Sequence, residues 1–367
     1  RFFNKEKTVT ERFVLSGLQV RDLAYGENPH QKEAFLFSTN SDNLLALDRF
    51  QFIEGGDPSF NNLSDVDRLT QTLIAIASGF QLNHGEVPLM AVVVKHGNAC
   101  GAAISRIGEP IEEQKPFIIQ AMLSGDPEAT LGGWVMLNFP VDEQVAILLA
   151  EKKLHGVVAP KFSSAAVLKL RRYSGKCRLV LNPALATVGR HNLEFTPIVH
   201  PVIGGFMTQL RSRFVPNFRL KPGEVGEIIS YHPDNGVGDK QAVGLLFAWG
   251  IGSTSDSNSV TIVKLCEINN VWKLLGNGVC QRTRVGAGQL AVDLARRAGH
   301  ALNGAVAYSD SFFPFTDGPE VLIQAGIRSI FATSGSIRDQ EVIDYCRARG
   351  CILSLVPDEI GRGFFGH

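Results

Sequence analysis

A lysine and a histidine, Lys95 and His96, stand side by side where an apolar run ends. Lysine can donate a proton or stabilise an anion, and histidine can accept a proton near neutral pH. The run, residues 90–94, has the length and valine content of a strand that is buried on both faces. Residues 97–101 then predict a tight turn, so the pair is expected at the carboxyl end of a central strand, where α/β sheets bind ligands. The alternative is an ordinary strand end that faces solvent.

A second candidate is the segment at residues 309–318, which places three phenylalanines and a proline between two aspartates. Such a composition is unusual for a surface loop, so the rings either fill the core or line a slot for a flat ligand. Phe313 and Phe315 are expected to fill the core. Phe312 and Asp317 are the favoured candidates for the slot, because an aromatic ring stacks on a heterocycle. The carboxylate of Asp310 or of Asp317 could accept hydrogen bonds from the N–H groups of that heterocycle.

Residues 286–291 match the glycine pattern of a dinucleotide-binding turn, after a predicted strand and before a predicted helix. A single match late in a chain is weak support, and a turn that holds an anion at a helix N-terminus is the simpler interpretation. Asn258 precedes another predicted strand. It can orient a carbonyl group or form an ordinary turn, and the turn is the default.

No histidine or cysteine pattern in the sequence predicts a catalytic metal. The zinc signature of the deaminases is absent, and no pair of the nine histidines has the spacing of a zinc-binding helix. Cys100 lies close to His96, but no other group in this stretch would lower the pKa of its thiol. A buried, unreactive thiol is therefore expected at Cys100.

Composition limits the classes of protein that remain. The chain has 367 residues, of which 44% are hydrophobic and 20% charged, which is enough for a sizeable core. Basic and acidic residues are equal in number, so neither a nucleic acid nor a membrane surface is an expected partner. The cysteines form no Cys-x-x-Cys pair, and no signal peptide or membrane-spanning run is visible, so a cytoplasmic protein with reduced thiols is expected. Because the chain begins at Arg1, trimming of the natural N-terminus is also expected.

The elements that must position these residues are read from the periodicity of the apolar residues. A helix is predicted over residues 64–77, with Ser64 as its N-cap. A hairpin is predicted from residues 260–266 and 271–275, around two asparagines. Strands and helices alternate before and after these elements, and this alternation is typical of α/β folds.

The alternation occurs in two parts of the chain, separated by a different kind of sequence. Residues 194–234 are rich in proline, arginine and phenylalanine and are interpreted as a helical crossover. The first α/β half, with the Lys-His pair, is expected at residues 1–205. The crossover and the second half, with Asn258 and the phenylalanine-rich segment, are expected at residues 206–367.

Ordered motifs extend over nearly the whole chain. They are residues 25–31 (Tyr-Gly-Glu-Asn-Pro-His-Gln), 59–62 (Ser-Phe-Asn-Asn) with Asp65, 95–101 (Lys-His-Gly-Asn-Ala-Cys-Gly), 257–258, 286–289, 309–317 and 335–339. In this order they resemble the formyltransferase domain of the bifunctional purine-biosynthesis enzymes, which join AICAR transformylase to IMP cyclohydrolase. The cyclohydrolase domain has no counterpart in these residues, so it is expected to be absent or to lie upstream of Arg1.

The resemblance implies both a fold and a reaction. The fold would be α/β, with two cytidine-deaminase-like three-layer α/β/α halves and no zinc. The reaction would transfer the formyl group of 10-formyltetrahydrofolate, the cosubstrate, to the amine of AICAR or a related aminoimidazole. A homodimer with shared active sites is also implied.

The resemblance implies roles for individual residues by matching position. His96 would take the proton of the attacking amine, Lys95 would support proton delivery to folate N10, and Asn258 would orient the formyl oxygen. Phe312 and Asp317 would hold the pterin. The further contacts implied are Gly132 and Gln289 for the folate, and Tyr25, Asn62, Arg362 and His367 for the acceptor.

The sequence departs from the family pattern where the acceptor's phosphate would bind. Ala24 and Gly363 stand where the resemblance implies two phosphate-binding arginines, with Arg362 as a shifted substitute for the second. The other departures are Asp256 for lysine, Val292 for arginine, Leu131 for phenylalanine and Ala99 for proline.

Three hypotheses follow from this pattern. The first is an AICAR formyltransferase with a rebuilt phosphate site. The second is a related folate-dependent formyltransferase whose amine acceptor carries no phosphate. The third is a catalytically silent protein that binds a folate or a nucleotide, and the retention of Lys95, His96 and Asn258 argues against it.

Overall fold

A mixed sheet of twelve strands runs through the part of the chain that the structure describes. The structure is a computed structural model, and it describes residues 13–108, 111–171, 177–231 and 238–366. The strands are β1 Leu18–Asp22, β2 Phe35–Ser38, β3 Gln51–Glu54, β4 Met90–Lys95, β5 Asn98–Ser105, β6 Trp134–Leu137, β7 Gly156–Ala159, β8 Arg178–Leu181, β9 Ile198–Val202, β10 Gly205–Gln209, β11 Ile229–Tyr231, β12 Val260–Cys266, β13 Val271–Gly278, β14 Val306–Ser309, β15 Ser329–Ser334 and β16 Ile352–Pro357. The helices are α1 Phe60–His84, α2 Ile111–Leu123, α3 Glu143–Leu149, α4 Ser164–Leu170, α5 Asp239–Gly252, α6 Arg284–Arg297, α7 Asp317–Gln324, α8 Asp339–Ala348 and α9 Asp358–Gly361.

The large sheet contains the same arrangement of six strands twice. From the centre to the edge, the order is β5-β4-β6-β7-β8-β3 on one side and β13-β12-β14-β15-β16-β11 on the other. In each set the first two pairs are antiparallel, the next two are parallel and the last is antiparallel. The sets meet where β5 and β13 pair antiparallel, with Ser105 opposite Val271. The predicted α/β fold is confirmed, and its two halves share one sheet. The predicted boundary at residue 205 stays a prediction.

The central strands face two different cores, because successive side chains of a strand point to opposite faces of its sheet. Val92 and Val94 belong to a cluster that α1 and α5 cover and that extends across both sets of strands. Ala91 and Val93 belong to a second cluster, under α2, α3 and α4. A third cluster lies under α6, α7 and α8. The sheet is thus the middle of three layers, as predicted.

Helix α1 begins earlier than the sequence analysis predicted. Ser59, with extended backbone angles, is its N-cap, and Ser59 and Asn62 form a reciprocal capping box. Ser64 lies inside the helix, where its hydroxyl donates to the Phe60 carbonyl, so the predicted cap was wrong. The helix has 25 residues, but neither it nor any other described helix is long and apolar enough to cross a membrane.

The connection between the two sets of strands is not helical. Between β8 and β11 it contains two short 3-10 turns and the β9–β10 hairpin, and it has no helix over residues 194–231. The helical crossover predicted over residues 194–234 was therefore wrong for residues 194–231, and its last three residues lie outside the described residues. Prolines recur in this segment and disfavour a helix, because each lacks an N–H donor. Gly204, with a φ of 80°, completes the tight turn of the hairpin. The β9–β10 hairpin pairs with no other described strand.

Candidate active site

The Lys-His pair lies at a tight β-hairpin turn. Strand β4 is buried up to Val94, and Lys95 pairs with Asn98 at the start of β5. The turn is therefore only His96 and Gly97, and the five-residue turn predicted from the sequence was wrong. Both residues have positive φ angles, 51° and 75°, as tight hairpin turns require. Glycine adopts this region freely, whereas a residue with a Cβ atom pays roughly 1–2 kcal/mol.

Two contacts from the first half fix the turn and the lysine beside it. The backbone N–H of Gly97 donates to the Asp65 Oδ1 of helix α1 at 2.9 Å. The Lys95 Nζ donates to the carbonyl of Leu131 at 2.9 Å, directly before Gly132. An ammonium group has three N–H donors, so Lys95 keeps further donors for a ligand.

The second half holds the same turn through Asp256. The Asn98 amide donates to Asp256 Oδ2 at 2.8 Å, and the Asp256 backbone N–H donates to Asn98 Oδ1 at 2.9 Å. Arg68 donates to the other Asp256 oxygen at 3.1 Å and to the Thr254 carbonyl at 2.7 Å. Its guanidinium lies 4.2 Å from the centroid of the Phe365 ring. Asp256, identified only as a departure from the family pattern, is thus a clamp between the two halves and the C-terminal segment.

A cavity of about 190 Å³ lies beside the turn. Its polar lining residues include Lys95, His96, Asp126 and Asn277. Cys100 also lines it, but burial raises the pKa of the Cys100 thiol to about 12. The thiol therefore stays protonated near neutral pH, in agreement with the expected unreactive cysteine. The groups that can carry protons in this cavity are the lysine, the histidine and the aspartate.

Asn258 lies two residues before the start of β12 and is held by one residue of the facing loop. Its backbone N–H and its side-chain amide both donate to the Gln281 carbonyl, at 3.1 and 2.8 Å. The Gln281 N–H donates back to the Asn258 carbonyl at 3.3 Å. A primary amide has two N–H donors, so one donor of the Asn258 side chain remains for a ligand.

A separate cavity of about 570 Å³ brings together Phe312, Asp317 and Arg362. Asp317 is exposed at the start of α7, and Arg362 pairs with Asp358. Phe315 also lines this cavity and is 49% exposed, so its predicted role in the core was wrong. The nearby Arg338 guanidinium, 4.8 Å from the ring centroid, offers that ring a cation–π contact instead. The prediction for Phe313 is confirmed, because only 3% of it is exposed and it packs in the third cluster.

Of the remaining predicted ligand contacts, those within the described residues line neither of these two cavities. Asn62 is used in the cap of α1, and the Tyr25 carbonyl accepts the Phe60 N–H. Gln289 is exposed on α6 and donates to Asp293. Gly132 has a φ of 79° and follows the residue that holds Lys95. The predicted contact His367 lies outside the described residues. The assigned roles of all these residues stay predictions.

One pair that the sequence analysis missed explains a departure from the family pattern. A Cβ atom added at Gly363 would overlap the hydroxyl of Tyr308, which is 1% exposed. Gly363 also donates its N–H to the Asp310 carbonyl at 2.8 Å, which fixes the backbone there. The tyrosine therefore occupies the space that a side chain at position 363 would need. Tyrosine and glycine are 55 positions apart in sequence, and only their packing reveals the dependence.

A buried ion pair lies next to this position and was also missed. Arg284, at the start of α6, pairs with Asp310, and their side chains are 9% and 0% exposed. Burial lowers the pKa of Arg284 to about 10, although nearby acidic groups oppose that shift. The Asp310 Oδ2 accepts the Ser259 N–H at 2.9 Å, one residue after Asn258. The pair thus joins the loop of Asn258 to the larger cavity, which Arg284 lines.

Among the described residues, no group of three or more histidine, cysteine, aspartate or glutamate side chains is placed to hold a metal ion.

Comparison with known proteins gives the relatives of this chain. The family model described as the AICARFT/IMPCHase bienzyme matches residues 1–294. The bifunctional purine biosynthesis protein PurH of Thermotoga maritima is 34% identical over 95% of this chain and 64% of its own length. The PurH proteins of Prochlorococcus marinus (strain MIT 9215) and Neisseria gonorrhoeae (strain NCCP11945) are 31% and 29% identical, over 91% and 94% of this chain and 58% of their own lengths. The chain thus spans about three fifths of the length of these relatives. With most of its length matched by the family model, the chain belongs to the AICARFT/IMPCHase bienzyme family.

Proposed function

We propose that the protein is a 10-formyltetrahydrofolate-dependent formyltransferase whose acceptor is the amine of AICAR or a related aminoimidazole. The observation that carries the proposal is the turn at His96. It presents an imidazole and an ammonium group to one cavity and is held from both halves of the fold. Membership of the bienzyme family supports the same reaction.

The proposed reaction needs one base, one acid and a donor for an oxyanion. The acceptor nitrogen attacks the formyl carbon, and His96 takes the proton that this nitrogen loses. The remaining N–H donor of Asn258 stabilises the negative oxygen of the tetrahedral intermediate. Collapse of the intermediate breaks the bond from the formyl carbon to folate N10, and Lys95 supports delivery of a proton to that nitrogen.

The larger cavity is the proposed site of the reduced folate. Its volume of about 570 Å³ is within the usual range for small-molecule sites. Phe312 offers a ring face for the pterin, and the exposed carboxylate of Asp317 can accept its N–H groups. Gly132 and Gln289 are retained as proposed folate contacts, and Tyr25, Asn62, Arg362 and His367 as proposed acceptor contacts.

A homodimer with shared sites is part of the proposal. Among the described residues of one chain, the cavity of Phe312 and the cavity of His96 share no lining residue, so a partner protomer would bring donor and acceptor together. The β9–β10 hairpin supports an interface, because it exposes Ile203, Phe206 and Met207. A two-stranded hairpin is marginally stable alone in water, and exposed apolar patches mark interaction surfaces. Sedimentation analysis of the wild type and of Met207→Asp tests this interface; a wild-type monomer would contradict it.

A second candidate function has a specific observation in its favour. It is formyl transfer to an amine that carries no phosphate. Tyr308 fills the space beside Gly363, where the resemblance implies an arginine for the acceptor's phosphate. Ala24, at the other implied arginine position, is exposed and has no charged group of its own.

One assay distinguishes these candidates. The purified protein is given 10-formyltetrahydrofolate with either AICAR or its unphosphorylated riboside. Turnover that requires the phosphate supports the first candidate, and equal turnover of both acceptors supports the second. If the protein binds the folate but formylates neither acceptor, then its acceptor is a different amine or it is a catalytically silent binding protein. Loss of folate binding as well would refute both enzyme proposals.

The role of His96 is tested in the same assay. His96→Ala should abolish transfer and leave the affinity for the folate nearly unchanged, since the base acts on the acceptor. His191→Ala is a matched control, because that histidine lies on the 3-10 turn Arg190–Asn192, outside both proposed cavities. Unchanged turnover in His96→Ala would refute the assigned role.

A further inference from the structure

The backbone of His96 is held in a conformation that its side chain does not favour. Its φ of 51° lies in the left-handed region, and the following Gly97 has a φ of 75°. A histidine in this region is strained, and strained residues persist only where their surroundings hold them. The group that holds this turn therefore also sets the direction of the imidazole.

Asp65 is the group in direct contact with the turn. Its Oδ1 accepts the Gly97 N–H at 2.9 Å. Asp65 is firmly placed, because the next residue, Val66, is fully buried in the core and Leu69 is buried one turn later. The capping box at Ser59 fixes the start of the same helix.

The Asp65 carboxylate lies among groups that act on its pKa in opposite directions. Burial raises the pKa of Asp65, and the Gly97 hydrogen bond, His96 and Arg68 act in the opposite direction. Titratable groups near Asp65 are Arg68 on helix α1 and His96 in the turn. From the second half, Asp256 pairs with Arg68, so Arg68 is shared between two carboxylates.

We infer that Asp65 is a positioning residue for His96, acting through the hydrogen bond that it accepts from the Gly97 amide. The inference rests on the proposed formyl transfer for its kinetic consequence. The bond fixes the turn, so the imidazole points at the acceptor amine in the cavity.

Substitutions at Asp65 separate this role from a general loss of structure. Asp65→Ala removes the acceptor and should lower kcat about 10- to 100-fold, the effect of a misplaced catalytic group, with little change in the KM for the folate. Asp65→Asn keeps a side-chain oxygen for the Gly97 amide and should restore most of the lost kcat. Asp67→Ala is the matched control, because Asp67 lies on the same helix and bonds only to Gln71 among the described hydrogen bonds.

Hydrogen exchange of the Gly97 amide tests the bond without any enzyme activity. In the wild type and in Asp65→Asn this amide should exchange at least about tenfold more slowly than an unstructured amide. In Asp65→Ala the protection should be lost at Gly97 and kept in strand β4. This readout remains valid if no formyl transfer is found, so failure of the proposed function and failure of this inference are distinguishable.

Three results would overturn the inference. One is free exchange of the Gly97 amide in the wild type, which needs no variant. Another is wild-type kcat in a folded Asp65→Ala. The third is an Asp65→Asn variant that protects Gly97 but loses as much kcat as Asp65→Ala, because the hydrogen bond would then not be the route.

Discussion

Gly363 should tolerate no side chain while Tyr308 keeps its hydroxyl. A Cβ atom at position 363 would overlap the Tyr308 Oη. The tyrosine cannot easily move away, because it is 1% exposed and its ring centroid lies 5.6 Å from that of Phe331. The glycine is fixed as well, by its hydrogen bond to the Asp310 carbonyl. Gly363→Ala therefore forces one of two held groups to shift.

The cost can be worked from these contacts. Overpacking of a closely packed site costs about 1–3 kcal/mol. An unfolding entropy of about 2.1 cal/mol/K per residue gives roughly 0.8 kcal/mol/K for 367 residues, so the Tm should fall by about 1–4 °C. Tyr308→Phe removes the oxygen that causes the overlap. That oxygen is buried and has no hydrogen-bond partner among the described residues, so its loss alone should cost little or stabilise the protein.

Thermal melting of the wild type, both single variants and the double variant completes a mutant cycle. Gly363→Ala in the Tyr308→Phe background should recover most of the lost stability, which corresponds to a coupling of about 1 kcal/mol or more. A Gly363→Ala protein that melts at the wild-type temperature would refute the packing argument. An equal loss with and without the hydroxyl would refute the assigned role of Tyr308.

Three further predictions concern the clamp, the thiols and the helix cap. Asp256→Ala should destabilise the fold by about 1–3 kcal/mol, because it removes one of the two acceptors of the half-buried Arg68 and the carboxylate acceptor of the Asn98 amide. Denaturant unfolding measures this loss, and no change would show that the clamp contributes nothing. Cys280 has an accessible side chain, but the part of it that is buried raises the pKa of its thiol, so its alkylation should speed up as the pH rises from 7 past 9. Cys100, with a pKa of about 12, should react only on unfolding. Mass spectrometry that finds Cys100 labelled before Cys280 would contradict the structure. Ser59→Ala should lower the free energy of unfolding by about 1 kcal/mol, because it removes the capping box. Ser64→Ala should lower it much less, because the Ser64 hydroxyl bonds within the helix. Equal melting temperatures of the two variants would argue against Ser59 as the cap.

Local patterns in the sequence predicted the elements that depend on near neighbours. The valine-rich run forms the buried strand β4, and the hairpin from residue 260 to residue 275 is present as β12 and β13, although β13 is longer than predicted. The start of α1 was misplaced, because Ser64 was predicted as its cap, whereas the extended backbone angles and the capping box lie at Ser59. The predicted helical crossover was wrong, because prolines recur in residues 194–231 and each lacks the N–H donor that a helix needs.

Some features of the candidate site also follow from residues that are neighbours in sequence, whereas others depend on the tertiary structure. The sequence alone determined that Lys95 and His96 are adjacent at the end of a buried strand, and that Phe312 and Asp317 lie near one another, since each pair is close along the chain. It could not determine that Asp65 and Asp256 hold the His96 turn from opposite halves, or that Tyr308 excludes a side chain at Gly363. These contacts join residues that are 32, 158 and 55 positions apart in the sequence. The Asp256–Asn98 contact joins the two halves, which the pairing of β5 with β13 brings into one sheet. The other two contacts each form within one half, by packing that local periodicity does not encode.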